Sequence, residues 1–435
     1  MNILQKVINL CTRVEGNGKV KCFLKNDKIE YVEFEISAFR GFENILVGKK
    51  LCDIPRIVSR ICGLCHISQT LASCKAIEQI FDVKPSFQSV IIRRILMTAE
   101  LIKSHIMHVF FQSLPDLLEI FKIKNTSPNP YNLIKFDPQL TISVYDLIKI
   151  GTEIEKIFGG RIIHLITPIP GGIVYKPSEK NILITQKYLQ KALSNIDYII
   201  SKFLDLFSTK QAPEEFSLSN VTYLGMLNKR SFDRYEGTLN LGKNKENITD
   251  FDVEKYNDYF DKNPNLFGIR FLSEEYNNVL TGPMARYHLA EIDNEEEMEL
   301  LNNFDENWKN NILFMNFLQL LEIFNEINSV LELLDHNDLN TKEILPSLNN
   351  IKNSDGIGIV EAPRGTLIHH YHLNKSNIVD QVKLFIATEI NIPLLNQCLK
   401  EYAQSLYQKE DIESVSRKIQ VLIRAFDPCI SCATH

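Results

Sequence analysis

The stretch "SFQSVIIRRILMTAELIKSHIMHVFF", residues 86–111, decides the architecture. Its apolar residues recur at helical spacing but fall on nearly every face, and a helix with so little polar surface belongs inside a bundle. Just before it, "GLCHISQTLASCKAIEQIF" (63–81) keeps the same period and is separated from it only by "DVKP", a helix stop. Two consecutive long helices, one of them apolar all round, predict a helical core.

Toward the N-terminus, residues 3–37 alternate apolar and polar, as in "KVKCFLKNDKIEYVEFEI" (19–36), with "KND" as a turn between two strands. From "FENILVGKK" (42–50) the period becomes helical. A middle section, 213–290, is richer in Asn, Gly and aromatics, and "YEGTLNLGKNKENITDFDV" (235–253) predicts short strands. Residues 292–335 read as one long amphipathic helical stretch with an acidic start, as suits a helix N-terminus. Strand-like "GIGIVEAPRGTLIHHYHL" (356–373) follows, and two or three more helices run to "VLIRAF" (421–426). A chain of 435 residues carries a soft prior of two or three domains, but no repeat, low-complexity linker or clear boundary divides it. The expected class is α+β, predominantly helical: a central long-helix bundle with β-rich N-terminal and peripheral insertions. One intertwined domain would span 1–435, with a β-rich segment at 1–40, a helical core at 41–210 and 290–435, and a peripheral β-containing insertion at 211–290.

Hydrophobic residues at 44% and charged residues at 23% are ordinary for a folded globular chain. The formal net charge of −6, with acids and bases interspersed, lacks the footprint of a nucleic-acid binder, and no nucleic-acid partner is expected. The opening "MNILQKVINLCTRVEG" holds too short an apolar run for a secretion signal, and no stretch approaches the ~18 consecutive apolar residues that cross a bilayer. A cytoplasmic protein with no membrane span is expected. Nine cysteines, an odd and sparse count, argue against a disulfide framework and for reduced thiols.

Four of the nine form two CxxC pairs, Cys62/Cys65 in "RICGLC" and Cys429/Cys432 in "DPCISC". The first pair sits at the head of a predicted helix, where backbone N–H groups and the macrodipole favour thiolates, the form that binds metal. A single CxxC is equally a redox dithiol, a zinc knuckle or two small buried residues. Two pairs supply four soft thiolates, a complete set for a thiophilic metal such as zinc or the irons of an iron–sulfur cluster. A zinc ribbon closes a loop of ~15–20 residues. Here the pairs lie near opposite ends of the chain, so the site is assembled from both ends.

The surrounding residues go further. "RICGLCHISQT" and "RAFDPCISCATH", with "TRVEG" near the start, resemble the large, catalytic subunit of nickel–iron hydrogenases. Six blocks occur in the family's order along the whole chain: "TRVEGNGKV" (12–20), "FRGFENIL" (39–46), "RICGLC" (60–65), "GPMARY" (282–287), "EAPRGTL" (361–367) and "DPCISCATH" (427–435).

The resemblance implies a nickel–iron centre whose iron bears carbonyl and cyanide ligands. Cys62 and Cys429 would be terminal nickel thiolates, and Cys65 and Cys432 would bridge nickel and iron. Glu43 and His435 would be ligands of a neighbouring magnesium, with a backbone carbonyl from Ile392. Read alone, Glu43 is as well explained as a helix N-terminal carboxylate on a solvated face. Glu15 corresponds to the family's proton-relay carboxylate beside a nickel-bound cysteine, and a partly desolvated carboxyl of this kind exchanges protons near neutrality. The family usually has histidine where this chain has Asn17, a departure in the surroundings of Glu15. Arg364 would hang over the open metal position with Pro363 against the iron ligands, as base or field source. Asp427 would orient Arg364, and it equally suits a helix-ending Asp-Pro turn. Ser104 stands where membrane-bound uptake members usually carry aspartate, which likens the chain to the cytosolic, multimeric, cofactor-reducing group. His108 reads as a satisfied core histidine, and Cys74 and Cys398 have no assigned role.

The implied reaction is reversible heterolytic cleavage of dihydrogen. Beyond the four paired cysteines, the other five form no second cluster-ligand set, so an iron–sulfur small subunit must carry the electrons on. Flavin-containing subunits and a soluble acceptor such as a nicotinamide or a deazaflavin are expected beyond it. A dedicated protease removes a C-terminal extension in most members, and would act here if an extension is encoded. The rival readings are a hydrogen sensor with the same site, a quinone-module relative from the respiratory proton pump, which lacks the four cysteines, and a zinc-stabilised scaffold.

Overall fold

The computed structural model describes residues 5–26, 28–36, 41–123, 132–246, 248–261, 270–271, 278–336, 339 and 345–434. The chain opens with a three-stranded antiparallel sheet, β1 (Gln5–Leu10), β2 (Gly18–Lys25) and β3 (Lys28–Ile36). Its alternation is what the pleat demands: Val32, Phe34 and Ile36 are buried while Glu33 and Glu35 between them reach outward. Helix α1 (Phe42–Leu46) follows Gly41, whose φ of 69° turns the chain.

Helix α2 (His66–Phe81) begins at Cys65 and stops at Asp82, which is left-handed with φ 52°. The decisive stretch is α3 (Phe87–Met107), started by Ser86, whose Oγ accepts the Ser89 N–H at 3.1 Å. Even its polar residues Arg93, Glu100, Ser104 and His105 are buried. The helix runs on through a π-helical turn, His108–Ser113, into α4 (Leu114–Ile120). Helix α5 (Pro138–Gly159) is capped by Asp137, carries Pro138 in its first turn and ends at Gly160 with φ 75°. Helix α6 (Glu179–Phe207) is capped by Ser178.

The middle section supplies a sheet in the order β7–β4–β5–β6: β4 (Thr222–Asn228), β5 (Thr238–Gly242), β6 (Ile248–Phe251) and β7 (Val279–Thr281). Strand β7 pairs in parallel with β4 and leads into α7 (Pro283–Leu289). The long helix expected over 292–335 is instead broken into Glu295–Leu301, Glu306–Lys309, a 3-10 turn at Ile312–Phe314 and α8 (Met315–Leu334). Asn294, Asp305 and Asn311 cause the breaks, because each side chain accepts a backbone N–H just after it and so starts a new segment.

Helices α3, α5, α6 and α8 pack in a ring, α3 on α5, α5 on α6, α6 on α8 and α8 back on α3. This is the bundle predicted from residues 86–111. Helix α2 packs on α3 of this ring and carries the antiparallel sheet β8 (Asp355–Ala362), β9 (Gly365–Leu373) and β10 (Val379–Phe385). Strand β8 rests directly on α2. A Cβ added at Gly358 would lie 1.9 Å from the Ala72 carbonyl oxygen, so only glycine permits that approach. Helix α9 (Ala387–Tyr407) packs on β3 and β7, α10 (Gln420–Ala425) follows, and a short helix α11 (Ile430–Ala433) closes the described chain. No described helix is long and apolar enough to cross a membrane. With the helices and the sheets around them, the fold is mixed α+β.

Candidate metal centre

Two backbone devices aim the cysteines inward. Cys65 is the residue from which α2 departs, and the Leu64 N–H reaches the Cys62 Sγ at 3.3 Å. At the other end, Asp427 turns the chain out of α10 with φ 47°, and Cys429 starts α11, which carries Cys432. The N-terminal segment clamps this tail: the Ile430 N–H donates to the Glu15 carbonyl at 3.0 Å, and Glu15 and Cys429 form a parallel bridge.

The four sulfurs meet. Cys62, Cys65, Cys429 and Cys432 are 1–3% exposed, and their Sγ atoms all lie within 4.8 Å of one another. Cys62 and Cys429 are 3.4 Å apart, and Cys429 and Cys432 2.8 Å. Hydrogen bonds from Cys429, Cys432 and Cys65 hold the Cys62 thiol well below the usual range. Burial and the neighbouring thiols push Cys429 and Cys432 well above it. Four thiolates at such distances repel, and only cations among them allow all four to ionise; the donor set fits soft metal ions.

Over the sulfurs lies Arg364, at the two-residue Pro363–Arg364 turn of the β8–β9 hairpin. Gly365 allows the turn, with φ 126° and a missing Cβ that would stand 2.5 Å from the Thr281 Oγ1. Arg364 Nη1 donates to the Ser104 Oγ at 2.9 Å and lies 3.6 Å from the Cys65 Sγ, and Nε donates to the Asp427 carbonyl and Oδ1 at 2.9 and 3.0 Å. Nη2 is 2.8 Å from the same Oδ1 as an ion pair, out of line for a hydrogen bond, and has no hydrogen-bond acceptor although it is buried. Burial opposes the charge of Arg364, but Asp427 and the cysteines hold its proton more firmly than usual. Beside it, Cys65, Cys429, Cys432, Gln69, Ala362, Leu367 and Thr388 line a small cavity. An orphaned cationic N–H beside that cavity fits a metal centre carrying small acceptor ligands.

Glu15 is half-buried, with Oε2 3.2 Å from the Cys429 Sγ and accepting the Ser431 N–H at 2.9 Å. Pro363 lies beside Arg364 in the turn. The structure thus gathers Cys62, Cys65, Cys429, Cys432, Glu15, Ser104, Pro363, Arg364 and Asp427. Glu43 sits on α1 with Oε1 accepting the Leu384 N–H at 2.8 Å, and Ile392 is buried in α9. His435 lies outside the described residues.

Sequence reasoning missed the brace behind the turn. Arg286 of α7 donates from Nη2 and Nη1 to the Ala362 and Pro363 carbonyls at 2.5 and 3.4 Å, and from Nε to Glu361 at 3.1 Å. Its Nη1 also pairs with Glu322 of α8 at 2.8 Å, which takes Arg234 and His105 as well. Burial disfavours the Glu322 carboxylate, but Arg286 and Arg234 hold it far below the ordinary range. Burial, with those guanidiniums, keeps His105 neutral, lowered to about 4. Arg286 lies in "GPMARY" and Glu361 in "EAPRGTL", two blocks singled out in the sequence, and only the fold shows that they meet.

A family model described as "Nickel-dependent hydrogenase" matches residues 40–229 and 312–435, the stretches that hold both cysteine pairs. The chain is 29% identical to the NAD-reducing hydrogenase HoxS subunit beta of Cupriavidus necator, over 99% of this chain and 94% of that one. It is 29% identical to one chain of the F420-non-reducing hydrogenase of Methanothermobacter marburgensis, over 98% and 93%. Its fold superposes on a solved NAD+-reducing [NiFe]-hydrogenase with a TM-score of 0.90 and 25% identity, covering all of both chains. The four-sulfur pocket is built from residues inside both matched stretches, and the chain belongs to the nickel-dependent hydrogenases, as the catalytic large subunit.

Proposed function

We propose that the chain cleaves dihydrogen heterolytically and reversibly, passing electrons to an iron–sulfur small subunit, then on to a soluble acceptor in the cytoplasm. The observation that carries this reading is the Arg364 guanidinium, fixed by Asp427 and Ser104 over the four cysteines with one N–H group unspent. Cys62 and Cys429 would hold nickel at its end positions, and Cys65 and Cys432 would be shared with an iron bearing carbonyl and cyanide. A bimetallic centre held by these four cysteines would supply the site at which the H–H bond is polarised and the electrons are accepted.

The chain's own residues do the rest. Arg364 acts as a fixed positive field in a dry pocket rather than as a base, because its proton is held so firmly. Pro363 stiffens the turn that carries it, and Ser104 fixes Nη1. The Cys429 Sγ passes its proton to Glu15 Oε2, 3.2 Å away, and the half-buried Glu15 hands it toward solvent. Glu43, the Ile392 carbonyl and His435 would hold magnesium, a hard cation suited to oxygen ligands and an imidazole. The name of the NAD-reducing relative supports a nicotinamide acceptor, and flavin-containing electron-transfer subunits would stand between it and the small subunit. A maturation protease would act if an extension is encoded.

Metal analysis of the purified complex, together with hydrogen-dependent dye reduction, tests the proposal. Nickel, with iron in excess of it because the small subunit's clusters also hold iron, is expected together with turnover, and magnesium is counted in the same digest. Zinc in place of nickel, with no turnover, overturns it.

A further inference from the structure

We propose that His108 is a buried imidazolium, a positioning residue that fixes Asp427 and, through it, Arg364; this rests on the role given to Arg364 above. His108 is fully buried at the first residue of the π-helical turn, the kind of helix irregularity that recurs at functional sites. Its Nδ1 is 2.6 Å from the Gln319 Oε1, and its Nε2 is 2.7 Å from the Arg424 carbonyl oxygen. The carbonyl can only accept. The orientation of Gln319 is set at its other edge, where Nε2 donates to Asp427 Oδ2 at 2.9 Å. Turning the amide over would press its oxygen against the oxygens of the carboxylate whose Oδ1 takes the Arg364 guanidinium. Gln319 therefore also presents an acceptor to His108.

A neutral imidazole carries one N–H, and would leave two lone pairs facing each other across one of these short contacts. With both ring protons in place, His108 donates twice, at distances suited to charge-assisted bonds. The charge is not stranded, since Asp427 Oδ2 lies 3.9 Å from Nδ1. The other charged groups near it are occupied elsewhere. Arg424 directs its guanidinium at Asp116 and the Thr12 carbonyl, and His105, one turn earlier on α3, pairs with Glu322. The order is a cation at His108, an anion at Asp427 and a cation at Arg364, with Gln319 as the spacer that stops the carboxylate rotating.

Neutron diffraction from crystals of the hydrogenase complex, exchanged into heavy water near neutral pH, reads the protons directly and needs no variant. Deuterium on both ring nitrogens of His108 is expected, and deuterium on only one overturns the proposal, whether or not the complex turns over hydrogen. In solution, His108→Asn and Gln319→Leu should each lower kcat for hydrogen-dependent dye reduction about tenfold, the effect of one charge-assisted hydrogen bond. KM for hydrogen and nickel content should hold, and the double variant should be no worse than either single one, as for links in one chain. Additive losses, or losses that track nickel content, would show two separate structural defects and overturn the positioning role. An inactive wild type with both deuterons present would count against hydrogen cleavage and leave the imidazolium standing.

Discussion

Glu15 reaches the Cys429 thiol because its backbone is stitched to the tail, its carbonyl on the Ile430 N–H and its Oε2 on the Ser431 N–H. Glu15→Gln keeps the shape and the hydrogen-bonding capacity but cannot carry a proton. Hydrogen-dependent dye reduction should fall by roughly 10²–10³, in the range of a lost general acid–base group, with nickel content unchanged. Activity close to wild type in this variant would move the proton path elsewhere. Glu15 and Arg364 were legible in the sequence because each sits in a short pattern whose neighbours are chain neighbours. Gln319 and Glu322 were not. Each is one of several polar residues on an amphipathic helix, and what gives it meaning is a partner from a distant segment, Asp427 in one case and Arg286 and Arg234 in the other. Spacing along α8 carries no trace of those partners.

Among elements, the hairpin β8–β9 and helix α2 are coupled by Gly358, which allows the strand to lie on the helix that begins at Cys65. Gly358→Ala forces the strand away from the Ala72 carbonyl. It should cost about 3 kcal/mol or more, an overpacking penalty at a backbone that cannot yield, read as a lower denaturation midpoint and poorer nickel loading. Alanine tolerated without either effect would mean that the hairpin is free to shift. Helices α3 and α5 carry a second coupling behind the site. Burial raises Glu100 to about 8 and Glu155 to about 7, although Lys103 pairs with Glu155 and the Ile67 and Ser68 N–H groups bond Glu100. Both carboxyls bind protons more tightly folded than unfolded, where the ordinary value is 4.5. Their contribution to stability is therefore full below that value and lost as the pH rises through about 7 to about 8. The urea midpoint of the metal-loaded protein should decline across that interval, and Glu155→Gln should flatten the decline by about 1–3 kcal/mol; an unchanged slope would place the proton uptake elsewhere. The helices themselves were legible from their period. The breaks between 292 and 314 were hidden, although Asn294, Asp305 and Asn311 are ordinary cap residues, because an amphipathic period continues through them.

For the whole molecule, the metal centre is the knot between both chain ends and the bundle. Residues 12–16 lie against the tail, with Arg13 and Arg424 both on Asp116 of α4 and Gly16, at φ 86°, against Ile430. A ligand that binds only the folded arrangement stabilises whatever must be in place to form it. Removing the metals leaves four buried sulfurs that must take up protons to relieve their repulsion, and only weak S–H contacts then join the two pairs. The bundle of α3, α5, α6 and α8 keeps its own packing and needs no metal. Hydrogen exchange should therefore separate the two. On metal removal, amides at 11–18, 60–66 and 427–434 should lose protection together, while those in the middle of α3 and α8 keep theirs. The three segments share no stretch of chain, so their loss in step would report a single closing event that joins the sulfur pocket from both ends. Loss confined to 427–434 would mean that the tail docks on a site already complete. Loss spread evenly over α3 and α8 would mean that the bundle is itself held by the metals, against the self-packed helical core that the sequence of residues 86–111 predicts.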